Sequence, residues 1–321
     1  MRHFKKSDGL LRKGIEVKCV FIDEHRKDHP VDLLCRVLEI SRNAYYSWKS
    51  HVVTQREERD QILSGDIQAS HKRSRQTYGS RRIHADLRAK NVSCSRRRVR
   101  RIMDSLEIEA VRPRRRVHTT NSKHSYPIAE NLLDRNFSPV ATPLNYRWAS
   151  DITYISVGSS WTYLAVILDL TSRRVIGWAI SDNIDRFLIL DALRMAVSIR
   201  KILPDMVIFH SDRGSQYAST EFRRVLEESG LTCSMSGKGD CYDNAVIESF
   251  NGTIKRELID RVQWTSSDEV TRAVGEYIEC WYNRYRLHSS LGYVSPVQFE
   301  LQEELKRPSL PAKPRPRSAQ E

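Results

Sequence analysis

The sequence predicts a mixed α/β domain, with five strands in one sheet flanked by helices, preceded by an all-α basic region. Three observations predict this. From residue 146 onward, three strand-like runs are followed by strand–helix alternation, which implies a mixed sheet with flanking helices. Before residue 117, apolar residues recur at helical spacing. The charge is also split. Residues 1–116 hold 29 Lys and Arg against 15 Asp and Glu, whereas residues 117–321 hold 24 against 25. All the excess of this +13 chain therefore lies in the first third. That asymmetry suggests a nucleic-acid grip joined to a near-neutral module.

Residues 30–50 read as a helix, a tight turn and a second helix. Val31 to Leu38 carries apolar residues at helical spacing, and Ser41 can cap a helix over Asn43–Lys49. The length and connection suit a helix-turn-helix or an ordinary helical hairpin. Residues 55–75 form a charged linking helix. Ser80 to Ala89 and Ser95 to Leu106 form a second helix pair. Its second helix places Val99, Ile102, Met103 and Leu106 on one buried stripe. Arg96, Arg97, Arg98, Arg100 and Arg101 occupy the rest of the circumference. Arginine's planar fork suits phosphate, so these five are the candidate DNA-binding residues. Residues 117–145, with Pro127, Pro139 and Pro143, show no period and read as a linker.

In the second part, strands are expected at 148–157, 161–168, 174–181, 207–212 and 231–236, with a turn at Thr171–Arg173. Helices are expected at 184–201, 219–229, 244–260 and 267–286. The tail beyond Arg307 is rich in proline and expected to be loose. The expected division is 1–53 and 54–116 for the two helical regions and 117–145 for the linker. Residues 146–265 form the sheet domain, and 266–321 form a carboxy-terminal helix and tail.

Cys19, Cys35, Cys94, Cys233, Cys241 and Cys280 are scattered, without a Cys-x-x-Cys pair. That pattern points to reduced thiols in a cytosolic protein. His25 and His29 have a spacing that invites zinc, but no Cys-x-x-Cys follows, and zinc is not expected. No apolar stretch follows the basic start of the chain, so no signal peptide is expected. The longest apolar run, Tyr163–Leu168, is far short of the roughly 20 residues that span a bilayer. A soluble, cytoplasmic protein without a membrane partner is expected.

Three carboxylates stand out. Asp151 opens an alternating run, Asp212 ends a strand, and Glu248 lies in a helix that starts near Asp243 and Asn244, with 35 residues between the last two. Hard divalent cations take oxygen ligands of this kind. A pair of such ions can stabilise both the attacking and the leaving oxygen of a phosphoryl displacement. Lys255, seven residues after Glu248, shares its helix face, as does Asn251; both are candidates to reach DNA. Asp169 and Asp243 or Asn244 are expected to be turn and helix caps rather than ligands. His210 falls on the Asp212 side of its strand, where it either contacts the site or lines it. Gly214 and Gly239 are expected to take positive φ beside the site.

Five stretches resemble one family. Trp148-Ala149-Ser150-Asp151-Ile152-Thr153-Tyr154 is similar to the first-aspartate motif of retroviral-integrase-like transposases. His210-Ser211-Asp212-Arg213-Gly214-Ser215-Gln216-Tyr217 resembles their second. Ser236 to Phe250 resembles the glutamate motif of the insertion-sequence-three branch, second-reading-frame type. Tyr282-Asn283-Arg284-Tyr285-Arg286-Leu287-His288-Ser289-Ser290-Leu291-Gly292-Tyr293 and Tyr78-Gly79-Ser80-Arg81-Arg82-Ile83-His84 also resemble that branch. The resemblance covers roughly residues 17–300. It implies an RNase-H-like fold and a metal-dependent DNA transposase that cleaves DNA and transfers strands. Asp151, Asp212 and Glu248 would be both catalytic and metal-holding, with two Mg²⁺ ions, Mn²⁺ able to substitute. It implies double-stranded DNA as partner, at the insertion-sequence ends and the target, and a homo-oligomer on that DNA in the bacterial nucleoid. It also implies fusion or association with a first-reading-frame helix-turn-helix and zipper protein, since no long heptad run is present here. The competing functions are a hydrolysis-only nuclease of the same fold and a non-catalytic DNA-binding regulator.

Overall fold

The computed structural model describes residues 14–50, 54–111, 129–133, 142–200, 202, 206–237 and 244–306. The chain divides into two compact units, residues 1–65 and 66–321.

In the first unit, α1 (Ile15–His25), α2 (Val31–Val37) and α3 (Arg42–Lys49) close around Cys19, Ile22, Leu34, Cys35, Leu38, Ile40 and Tyr45. The α2–α3 pair is the expected one, and Ser41 caps α3 by accepting the Ala44 N–H at 3.1 Å. Helix α1 was not foreseen. It supplies Cys19 and Ile22 to the core, and its Asp23 accepts the Tyr45 hydroxyl at 2.8 Å. Helix α4 (Gln55–Arg73) runs from this unit into the next.

The second unit begins with the helix pair α5 (Ser80–Ala89) and α6 (Arg96–Ser105). Val99, Ile102 and Met103 are buried as the stripe required, and the Ser95 hydroxyl caps α6 through the Arg98 N–H. The sheet follows: β1 (Arg147–Val157), β2 (Ser160–Asp169), β3 (Val175–Ser181), β4 (Val207–Ser211) and β5 (Leu231–Met235), in the order β3-β2-β1-β4-β5. The first three strands are antiparallel neighbours, and β1, β4 and β5 run parallel. This is the mixed five-stranded sheet that the sequence predicts. Helices α7 (Arg186–Ile199), α8 (Ser215–Ala218) and α9 (Thr220–Glu228) bury Leu190, Leu193, Tyr217 and Phe222 against Trp148, Ile167 and Phe209 of the sheet. A Cβ at Gly177 on β3 would stand 2.2 Å from the Ala192 carbonyl oxygen, so glycine is what lets α7 lie so close. Residues 129–133, expected in a linker, lie along β5: the Leu132 N–H donates to Ser234 Oγ at 2.9 Å.

Helix α10 (Ala245–Glu257) packs on β1. The single long helix expected over 267–286 is instead α-helical over α11 (Ser267–Gly275) and π-helical over Glu276–Tyr282. The wider turn brings Tyr277, Ile278, Trp281 and Tyr282 all inward. Asn283 then grips the backbone of β3, accepting the Val175 N–H at 3.0 Å and donating to its carbonyl at 2.9 Å. Helix α12 (Pro296–Lys306), also not foreseen, buries Glu300, which accepts from Arg174 at 2.6 Å. No helix among the described residues is long and apolar enough to cross a membrane. The expected loose tail beyond Arg307 lies outside the described residues.

Candidate active site

The β1–β4 register brings the two aspartates level. The last paired residues are Ala149 and His210, and Asp151 and Asp212 stand two residues further along. Neither carboxylate is fully enclosed. Asp151 Oδ1 accepts its neighbour Ile152 N–H at 2.9 Å, and Oδ2 accepts the Asn251 amide at 2.8 Å. Asp212 Oδ1 accepts the Gly214 N–H at 2.9 Å. Glu248 lies in the first turn of α10 and is half-buried. Asn251, one turn later, is buried.

The electrostatics tie the three acids together. Burial pushes the Asp151 carboxyl up to about 7; the nearby charge of Asp212 adds to this, and Glu248 adds a smaller push. The Ile152 N–H and the Asn251 amide oppose the shift by favouring the charged form. Among the described residues, no three His, Cys, Asp or Glu side chains are gathered closely enough to hold a metal ion as they stand.

Beneath the aspartates, the Tyr217 hydroxyl shares a 2.8 Å hydrogen bond with the Ser150 hydroxyl. Burial, then Asp151 and Asp212, drive the Tyr217 pKa well up, so this phenol stays neutral beside the acids. Tyr217 lies within the second motif, yet only the fold shows it under the site.

The other candidates sort as follows. Asn251 was expected to reach toward DNA with Lys255. Its side chain is instead turned inward onto Asp151, and its Oδ1 is buried without a hydrogen-bond partner. Lys255 is half-buried on the same helix. Asp169 caps its turn as expected: Oδ1 accepts the Thr171 and Ser172 N–H groups, and Oδ2 that of Asn145. Asn244 holds the N-cap position of α10, but its side chain makes no cap hydrogen bond. Asp243 and Gly239 lie outside the described residues. Gly214 has φ of −61° rather than a positive value. Glycine suits this position for another reason: a Cβ would crowd Asp212 Oδ1 at 3.0 Å. His210 is fully buried, with Nδ1 2.9 Å from Ser234 Oγ, and so helps join β4 to β5. Arg96, Arg97, Arg100 and Arg101 are exposed on α6, and Arg98 is half-buried. Arg100 makes a loose pair with Asp104 at 3.8 Å.

Comparison with known proteins agrees with this architecture. Residues 142–241 match the family "Integrase core domain", residues 229–296 match a second family of that description, and residues 57–116 match "HTH-like domain". The chain is 40% identical over 266 residues to the insertion element IS600 uncharacterized 31 kDa protein of Shigella sonnei, covering 83% of this chain and 97% of that protein. It is 38% identical over 286 residues to transposase InsF for insertion sequence IS3A of Escherichia coli (strain K12), covering 88% and 98%. Among solved structures, the HTLV-2 integrase catalytic core domain in complex with magnesium is 17% identical, with a TM-score of 0.38, covering 48% of this chain and 95% of that one. With identity at this level over nearly the whole length of its relatives, the chain belongs to the insertion-sequence-three family of DNA transposases.

Proposed function

We propose that Asp151, Asp212 and Glu248 are the catalytic carboxylates of this transposase and hold two Mg²⁺ ions, with Mn²⁺ able to substitute, for DNA cleavage and strand transfer. One observation carries this assignment: the parallel β1–β4 register sets Asp151 beside Asp212, with Glu248 on the helix packed against β1, and in keeping with this Asp151 is pushed up to about 7 by burial and by the charges of both. Three acids whose charges oppose one another are poor at stabilising a fold and well suited to a divalent cation. When bound, the ions would activate the attacking water or 3′-hydroxyl and stabilise the leaving oxygen.

The chain's own residues orient the donors. The Ile152 N–H and the Asn251 amide each hold one oxygen of Asp151, and the Gly214 N–H holds one oxygen of Asp212. Glu248 rides on α10, which packs on β1, so its approach to Asp151 is set by a helix–sheet contact. The arginines of α6 would hold duplex DNA through its phosphates, and Lys255 would reach the terminal nucleotides. The partners are insertion-sequence ends and target DNA, bound by a homo-oligomer in the nucleoid of the cytoplasm. A first-reading-frame helix-turn-helix and zipper protein would be fused to it or associated with it.

The test is strand transfer on end-bearing duplex DNA in Mg²⁺, with affinity measured in parallel by gel shift. Asp151→Asn, Asp212→Asn and Glu248→Gln should each abolish transfer while DNA affinity stays near that of wild type. Near-wild-type transfer by any one variant removes that residue from the site.

A further inference from the structure

Two parts of the second unit meet on residues 276–288. On one side is the entry to the basic helix pair. The Tyr78 phenol accepts the Leu287 N–H at 2.7 Å, and Arg82 Nε of α5 donates to the Leu287 carbonyl at 3.0 Å. Both backbone polar groups of Leu287 are thus held by the segment that opens the helix pair. Tyr78 also packs its ring on Trp281, and Arg75 pairs with Glu276. Arg261 Nη1 donates to the Arg75 carbonyl at 2.6 Å.

On the other side is the end of the catalytic helix. Arg286, the neighbour of Leu287, forks onto both carboxylate oxygens of Glu257, at 2.7 to 3.1 Å. The Tyr277 hydroxyl donates to the same carboxylate at 2.8 Å. Arg286, Glu257, Tyr277 and Tyr78 are all buried. Glu257 is the last residue of α10, the helix that carries Glu248. A chain of part-buried and buried polar contacts, joined by the covalent link between Leu287 and Arg286, therefore runs from the α5–α6 pair to the helix that bears Glu248.

A planar fork and a residue held by both its backbone N–H and its carbonyl fix orientation as well as distance. Orientation matters here because phosphoryl transfer is mostly a matter of placing the reacting groups, and a misplacement of about 1 Å can cost roughly 100-fold in rate. We propose that Tyr78, Arg82 and Arg286 are positioning residues. They fix the basic helix pair against the Glu248 helix, so that a DNA end gripped by α6 is cut at one set phosphodiester. This rests on the assignment of the carboxylates and of the α6 arginines made above. It adds that the helix pair works as a ruler for the active site and not only as a source of affinity.

The experiment uses the full chain and two DNAs. One is an end-labelled duplex carrying the terminal repeat that flanks the protein's own reading frame. The other is a supercoiled plasmid lacking that repeat, nicked in Mn²⁺. Tyr78→Phe and Arg82→Ala should bind the duplex and nick the plasmid within about 3-fold of wild type. On the duplex, cutting at the wild-type position should fall by about 10-fold or more and spread to neighbouring phosphodiesters. Arg82→Lys, which keeps a donor, should restore part of the precision. Wild-type rate and position in Tyr78→Phe and Arg82→Ala would overturn the proposal. So would a parallel fall in binding, nicking and melting temperature, because the joint would then be merely structural. Asp151→Asn is run alongside. Persistent nicking by that variant would overturn the site assignment and this proposal with it, whereas its loss alongside normal precision in the joint variants overturns the joint alone.

Discussion

The Asn251 amide lies 2.8 Å from Oδ2 of Asp151, joining α10 to β1 across 100 positions of sequence. Since an amide N–H favours the ionised carboxylate, Asn251 works against the burial and like charge that raise Asp151 to about 7.

Replacing Asn251 with Ala should therefore push the Asp151 carboxyl further up. A hydrogen bond to a charged group contributes about 1.5–3 kcal/mol, and about 1.4 kcal/mol corresponds to one pKa unit. After discounting for the site's partial exposure, a rise of roughly one unit is expected. The acid limb of the pH–rate profile for Mg²⁺-dependent nicking should move up by that amount, with DNA affinity unchanged. An unmoved limb would mean that the contact does not govern Asp151.

Asp151 also makes a prediction about stability. Its folded pKa lies above its unfolded one, so the folded chain binds the extra proton. Its contribution therefore becomes more favourable as pH falls from about 7 toward the ordinary aspartate value. Asp151→Asn should raise the melting temperature at pH 8, where the wild type must carry the opposed charges. The same variant should lose transposition. Double carboxylate variants should be little worse than singles, since groups acting as a unit are non-additive.

Much of this was legible in the sequence because strand runs rich in β-branched and aromatic residues declare themselves, as from Trp148 to Ile155, even though β1 is covered on both faces and its burial does not alternate there. Asp151 lies midway along β1 rather than at its start, and Asp212 stands just past the end of β4; the parallel β1–β4 register makes neighbours of them. Helix phase placed Asn251 with Glu248 but could not say whether that face met the sheet or solvent, so its role at Asp151 was missed. Helix α1 escaped because its apolar residues do not gather on one side; Ile15, Val17 and Val20 are exposed. The Glu257–Arg286 pair spans 29 positions, and no local pattern announces which of many arginines meets which acid. The π-helical turn was hidden because an extra residue per turn leaves the composition of a helix unchanged.

The arginines of α6 should show themselves through salt. Each phosphate contact contributes about −0.9 to the slope of log affinity against log salt on duplex DNA. Replacing Arg97, Arg98 and Arg101 with Ala should flatten that slope by about 0.9 for each one that touches phosphate. Arg98 is the half-buried member, so its share should be the smallest. An unchanged slope would make this face of α6 a solvated surface.

The Glu257–Arg286 pair should prove costly to break and cheap to replace whole. Burial alone would raise the Glu257 pKa, but the charge and fork of Arg286, with the Tyr277 hydroxyl, hold it below the ordinary glutamate range. Glu257→Gln leaves a buried guanidinium without its counter-charge, which costs about 3–5 kcal/mol. Replacing both, as Glu257→Gln with Arg286→Met, should recover part of that loss, because no lone charge remains buried. The pH dependence runs opposite to that of Asp151. A lowered folded pKa gives stability that is present above the unfolded glutamate value and is lost as pH falls through the folded one. Wild type should therefore lose stability below about pH 4.5, and the double variant should lose less of it there. Thermal melts of wild type, Glu257→Gln and the double variant from pH 3 to pH 8 would decide it. If the double variant melted no higher than Glu257→Gln, the lone buried charge would not be the source of the cost.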